Sequence, residues 1–319
     1  RADGKKCAQP RLTHAVPPLR ADMRLVTFAP SAPAAARVGV LDGSDVVDLT
    51  AAYAAEGKPL VRGMRQLLEE GEAGLSFART CVAGGKWRVA LATVKLLAPI
   101  YDPEKIVCVG MNYREHCTEQ GLPIPTEPVI FSKFASAICA PGDPIPWEVG
   151  ETQELDFEVE MVIVVGRTGR HVPRQEAMQY IAGWTVAHDV SARDWQLKRN
   201  GGQWLLGKTC DGFAPIGPAI VTRDELPDVS DLGIRCLLNG KRVQEASTRE
   251  LVFTPDAIIA YLTRFVTLKP GDLILTGTPS GVGCFRKPPL WLKHGDEVVC
   301  EIDGIGRIAN TVQAIPARL

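Results

Sequence analysis

The stretch Leu155-Asp-Phe-Glu-Val-Glu-Met-Val-Ile-Val-Val-Gly166 sets Glu158 and Glu160 between Phe157, Val159 and Met161. Successive side chains of a strand point to opposite faces, so on a strand both glutamates share one face. An edge strand would show them to solvent. Here the chain runs on into the apolar Met161 to Val165, which marks a central strand, and two like charges side by side there need a cation. Asp189 ends the apolar run Trp184-Thr-Val-Ala-His-Asp189 and offers a third carboxylate. Three carboxylates without a clustered histidine or thiol suit a hard, oxygen-preferring ion that keeps several waters, hence Mg2+ or Mn2+, with Ca2+ a further option.

Two other motifs carry less. Gly202-Gln-Trp-Leu-Leu-Gly207-Lys208-Thr209 matches the phosphate-loop pattern letter by letter. That loop must follow an apolar strand, keep small residues where amides wrap phosphate, and open a helix. The lead-in Gln196-Leu-Lys-Arg-Asn200, the bulky Trp204-Leu205-Leu206 and the exit through Gly212, Pro215, Gly217 and Pro218 refuse it. Thr276-Gly-Thr-Pro-Ser-Gly-Val-Gly283 lacks both the dinucleotide glycine spacing and the serine-elbow frame. Its position after a strong strand suits a loop whose amides and Thr278 hydroxyl grip a small anion.

The elements that must position these groups are strand-rich. Ile106 to Gly110, Phe157 to Gly166, Trp184 to Val190, Gly233 to Leu238 and Asp272 to Thr276 read as strands, with Asn239-Gly240 as a two-residue hairpin turn. One helix is expected where Thr254 caps, Pro255 takes the first turn, and Ile258, Ile259, Leu262 and Phe265 form an apolar face. Before residue 99, short strands between Met23 and Thr50 precede a helix through Val61, Met64, Leu67, Leu68 and Leu75, broken at Gly74 and ended by Gly84-Gly85. Val94 to Pro99 reads as a linker strand. The expected organisation is a basic tail over 1–22, a small α+β unit over 23–98, and a larger unit over 99–319. No βαβ alternation or internal repeat is visible, so the class is α+β with a mixed sheet or β-roll.

Composition narrows the function. The chain has 319 residues, 45% hydrophobic and 23% charged, with 36 basic against 37 acidic side chains. A net charge of −1 gives no field to favour nucleic acid or an anionic membrane, and no apolar run approaches the ~20 residues of a spanning helix. The nine cysteines form no Cys-x-x-Cys pair, and the five histidines have no zinc-type spacing. The first 24 residues hold six basic and two acidic side chains, as a transit remnant or a flexible tail would.

Several ordered motifs together resemble the fumarylacetoacetate hydrolase superfamily. They are Val109-Gly-Met-Asn-Tyr113 with His116 and Glu119, Glu127-Pro-Val-Ile-Phe-Ser-Lys133, Asp156-Phe-Glu-Val-Glu160, His188-Asp-Val-Ser-Ala-Arg-Asp194, Gly207-Lys208, and Leu275 to Gly283. The resemblance covers residues 99 to about 313 and is strongest to a mitochondrial subgroup with a small N-terminal domain. It implies a mixed β-sandwich roll and metal ligands at Glu158, Glu160 and Asp189. It implies an active-site lysine at Lys208, with Arg193, Gln196, Lys133 and Thr278 around the substrate. His116 and Glu119 match a pair that activates water in hydrolytic relatives, although an i,i+3 pair can also be a plain surface contact. His188 departs from the Asn of many relatives, and Cys210 and Gly212 replace bulkier residues; both bear on pocket shape.

The implied activity is a Mg2+-dependent isomerase, converting enol-oxaloacetate to its keto form, with Lys208 at lowered pKa moving a proton. Hydrolysis of C–C bonds in acylpyruvates or other 3-oxo acids, oxaloacetate decarboxylation, and a non-catalytic binding protein on the same fold are the alternatives. A small oxo-dicarboxylate substrate, a homodimer and a mitochondrial matrix location are the expected company, with the cytoplasm as the other location.

Overall fold

The computed structural model describes residues 23–30, 35–60 and 63–316. The basic tail expected over 1–22 and Val61 of the expected first helix lie outside them. Ten strands form the path of one large sheet, in the order Arg88–Ala90, Asp45–Asp48, Arg37–Asp42, Arg24–Pro30, Ala214–Thr222, Ile181–His188, Val159–Val165, Leu273–Leu275, Ile106–Gly110 and Val129–Lys133. Val94–Leu96 and Ile138–Cys139 pair beside this path. Arg24–Pro30 joins it through Arg24↔Val221 and Leu25↔Ile220, so the sheet runs unbroken from the first strands into the carboxylate-bearing ones.

A second sheet takes Lys241–Ser247, Gly233–Leu238, Glu297–Ile302, Gly306–Ile315 and Ile145–Glu148 in that order, and it packs across the centre of the first. Both faces of the central strands are therefore covered, which is why Val159–Val165 is buried at every position. The class is α+β and strand-rich, as the sequence implies. Asn239 and Gly240, both at positive φ, close the expected hairpin.

Three local expectations need correction. The expected first helix is two helices, Met64–Glu69 and Glu72–Gly84, and the break is at Gly71, whose φ is 59°. Gly74 sits inside the second helix because a Cβ there would come within 2.7 Å of the Leu67 carbonyl oxygen. A further helix, Leu49–Ala55, starts where Asp48 accepts the Ala51 amide at 3.0 Å. In the helix Pro255–Leu262, Thr254 stands at the N-cap position but its hydroxyl bonds Asp256 and Arg174 instead of a backbone amide. Phe265 lies past the helix end and is 60% exposed.

Candidate active site

The strand pattern places the acidic groups. Ile181–His188 runs antiparallel to Val159–Val165 with Ala187 opposite Glu160 and His188 opposite Val159. The Asp189 amide continues the pairing to the Glu158 carbonyl at 2.9 Å. Glu158 itself precedes the regular strand, because the Val159 amide donates to the Gln244 side chain rather than to a neighbouring strand. The two glutamates still converge: ligand oxygens of Glu158, Glu160 and Asp189 lie within 4.8 Å of one another, all buried.

Cations crowd the same point. Lys208 Nζ is 2.8 Å from Glu158 Oε2 and 2.8 Å from Asp189 Oδ2. Arg193 reaches Glu158 Oε1 at 2.5 Å, Asp156 Oδ2 at 2.8 Å and Gln196 Oε1 at 2.8 Å, so its whole guanidinium is used in orienting its neighbours. Lys133 was expected beside the substrate. It does not line the cavity; it packs under Asp189, 2.7 Å from Oδ1, and donates to the carbonyls of Val190, Lys208 and Phe213.

Burial penalises the charged form of every one of these groups, and their neighbours decide the outcome. Burial raises Glu158, but Arg193, Lys208 and His116 outweigh it and hold the carboxyl well below its usual range. Burial also raises Glu160, and Asp189 and Glu158 push it further up. Burial lowers Lys208, yet with no ion present Asp189 and Glu158, two of the carboxylates that would hold one, push it above its ordinary value. Burial, then Lys133, bring His188 down to about 3, and neither ring nitrogen has a hydrogen-bond partner.

The residues fit a hard dication. Among the described residues Asp156, Glu158, Glu160 and Asp189 face the buried Lys133, Arg193 and Lys208, so with His116 neutral one carboxylate is uncompensated. Glu160 is that group: the Gly277 amide holds it at 2.6 Å, no cation among the described residues pairs with it, and burial with its acidic neighbours favours its neutral form unless a cation is bound. The donors are all oxygens, and a dication would convert the excess negative charge into the positive charge that receives an anionic substrate.

The Thr276–Gly283 loop behaves differently from the sequence reading. Its amides grip the protein's own carboxylates: Gly277 donates to Glu160, Gly281 to Glu119 at 2.9 Å and Gly283 to Asp156 at 2.7 Å. Thr278 lines the cavity, but its hydroxyl donates to the Val159 carbonyl and accepts from Gln244 Nε2. Gly277 holds φ at 99°, and a Cβ there would meet Asn112 Cβ at 2.8 Å, so glycine is required. Asp156, which accepts the Gly283 amide, the Cys284 amide at 3.0 Å and Arg193, has no role in the sequence motif; alternation alone gives no sign that it faces a loop.

His116 and Glu119 share the helix Arg114–Glu119, with Nδ1 2.6 Å from Glu119 Oε1. His116, Gln196, Lys208, Glu158, Glu160 and Arg193 line one cavity of about 40 Å³, closed on its other side by Phe131, Trp204 and Phe285. Sequence reasoning missed this aromatic wall. Trp204 is seated against Gly110, where a Cβ would lie 2.7 Å from the indole. Its neighbours Leu205–Lys208 form a four-residue turn of helix, with no phosphate-binding geometry. The arrangement can polarise a small acidic oxo compound and move a proton beside it.

Residues 105–313 match the fumarylacetoacetate (FAA) hydrolase C-terminal family. The mitochondrial oxaloacetate tautomerase fahd2 of Xenopus laevis is 50% identical over 292 residues, 91% of this chain and 90% of that protein. The Homo sapiens mitochondrial oxaloacetate tautomerase FAHD2A is 50% identical over 91% of this chain and 92% of its own. Among solved structures, a putative HpcE protein from Mycobacterium smegmatis aligns with a TM-score of 0.82 at 38% identity, covering 92% of this chain and 99% of that one. A maleylpyruvate hydrolase from Sphingobium sp. SYK-6 in complex with manganese (II) ion and pyruvate aligns at 0.74 and 32% identity, covering 92% and 99%. Family match, fold and motif positions agree, and the chain belongs to the fumarylacetoacetate hydrolase family.

Proposed function

We propose that the protein is a Mg2+-dependent keto–enol tautomerase of oxaloacetate, working in mitochondria as the two half-identical relatives are named. The observation that carries the reading is the buried carboxylate set with one charge in excess, opening on a cavity of about 40 Å³. Glu158, Glu160 and Asp189 would hold the ion; Mn2+ or Ca2+ would satisfy the same oxygens. When bound, the ion supplies Lewis-acid withdrawal of charge from the oxo acid.

Protein groups then move the protons. Lys208 starts protonated and hands a proton to the carbon beside the carbonyl. His116, oriented through Nδ1 by Glu119, keeps Nε2 for the proton leaving the enol oxygen. Such general acid and base help is worth about 10²–10⁴-fold. Arg193 fixes Glu158, Gln196 lines the wall and Lys133 braces Asp189, which keeps the carboxylates in one geometry. A homodimer belongs to this reading. Ile130 and Phe134, at and just past one edge strand, are 42% and 54% exposed, the kind of apolar surface a second copy would cover.

The His116–Glu119 pair also favours a second reading, hydrolysis of an acylpyruvate, the class of reaction in the name of the Sphingobium relative. Enol-oxaloacetate absorbance and pyruvate release followed in one cuvette decide between the chemistries. Enol loss without pyruvate is the expected result; equal pyruvate means decarboxylation. Acylpyruvate cleavage outpacing enol loss would make the protein a hydrolase.

A further inference from the structure

The strands that carry the carboxylates have a second end, and it opens on a cavity of about 740 Å³. This is the size range of sites for small organic ligands. It lies beyond the other terminus of Ile181–His188, seven residues from His188 and so roughly 20 Å from the acidic groups. Ile181 and Ala182 from that strand and Leu68 and Leu75 from the helices Met64–Glu69 and Glu72–Gly84 give it an apolar patch, while Glu72, Arg79, Gln179 and Asp224 line it as well. Gly166 packs closely on Ala182, where a Cβ would come within 2.9 Å of the Ala182 Cβ.

Two arginines stand at the rim on either side of the same strand. Gly166 donates to the Tyr180 carbonyl at 2.7 Å and leads into Arg167; Arg223 donates its amide to the Ala182 carbonyl at 2.9 Å. Their backbones are therefore two strand spacings, or about 10 Å, apart. Elsewhere Arg37, Arg65, Arg88, Arg174 and Arg235 each meet a carboxylate. Arg79, in this same cavity, is held between Glu72 at 2.7 Å and Asp224 at 2.9 Å. Arg167 and Arg223 differ. Among the described residues neither has a carboxylate partner, and Arg167 only rests 5.3 Å from the Tyr180 ring centre. Guanidinium forks left free above an apolar patch match an anion that carries an apolar body.

We propose that this cavity is a second binding site, for an amphipathic organic anion whose carboxylate or phosphate is received by Arg167 and Arg223 while its apolar part lies on Leu75, Ile181 and Ala182. The headgroup chemistry is shared by fatty carboxylates and alkyl phosphates, which the test separates. Isothermal titration of the full protein with octanoate, octyl phosphate and inorganic phosphate is the experiment, on wild type, R167Q, R223Q and the double variant. Saturable binding of at least one eight-carbon probe, weaker for inorganic phosphate, is expected, with each single variant losing affinity and the double variant losing tenfold or more. The more tightly bound probe identifies the headgroup. Both side chains are exposed and outside the catalytic cavity, so melting temperature and tautomerase rate without probe should stay as in wild type. No saturation by either amphiphile would overturn the proposal. So would unchanged affinity in the double variant, or binding lost in E158Q but kept in R167Q/R223Q.

Discussion

The two ends of the Val159–Val165 and Ile181–His188 pair treat charge in opposite ways. At one end Glu158, Glu160 and Asp189 are buried, and they interlock with the equally buried Lys208, Arg193 and Lys133. At the other, Arg167 and Arg223 stand in water over an open cavity. Burial is what separates them. A charge removed from water must be matched by partners, so losing one partner strands the rest, whereas a solvated guanidinium costs little to keep or to lose.

Breaking the buried end should have the largest effect. Glu158→Ala leaves Lys208 and Arg193 each short of a partner; a cost of about 3–5 kcal/mol in stability is expected, together with loss of Mg2+-dependent turnover. Chemical denaturation with and without Mg2+ checks both. Lys208→Met removes the proton donor but relieves no carboxylate of a metal role, so turnover should fall about 10²–10⁴-fold while Mg2+ still binds by calorimetry. A variant with near-normal turnover would move the proton transfer to another group.

His188 sharpens the comparison through pH. Burial and Lys133 hold it near 3 in the folded chain, against 6.5 when free, so it is neutral in the fold and protonated in the acidified unfolded chain. Its contribution is complete above pH 6.5 and is lost as pH falls from there toward 3, by up to ~1.4 kcal/mol per pH unit. In the metal-free protein, His188→Asn should flatten melting temperature against pH across that window; an unchanged slope would refute it. The smallest effect belongs to the open end, where Arg167→Gln and Arg223→Gln should each leave stability within about 0.5 kcal/mol of wild type.

The sequence made the acidic triad legible because strand alternation and an apolar continuation are local signals. Glu158 and Glu160 declare a shared face, and Asp189 closes a buried run. What surrounds them was legible only through the family motifs, and their contacts were not. Lys133 comes from an edge strand and reaches Asp189 only through tertiary packing, and the loop after Leu275 binds the protein's own acids where glycine content suggested an external anion. The sequence set Lys208 beside a cation with a lowered pKa, and it could not show that two of the carboxylates lie 2.8 Å from its nitrogen. The break at Gly71 was misplaced to Gly74 for the same reason: close helix packing and a turn both select glycine, and only the contacts tell them apart.

The central claim is that Glu158, Glu160 and Asp189 together trap a hard dication that activates a small oxo-diacid. Crystals grown with Mn2+ and oxalate test it directly through anomalous scattering. A single peak bonded to one oxygen from each of the three carboxylates, with oxalate completing the shell, is the predicted result. Density for oxalate on Lys208 and Arg193 alone, with no anomalous peak among the three acids, would contradict it.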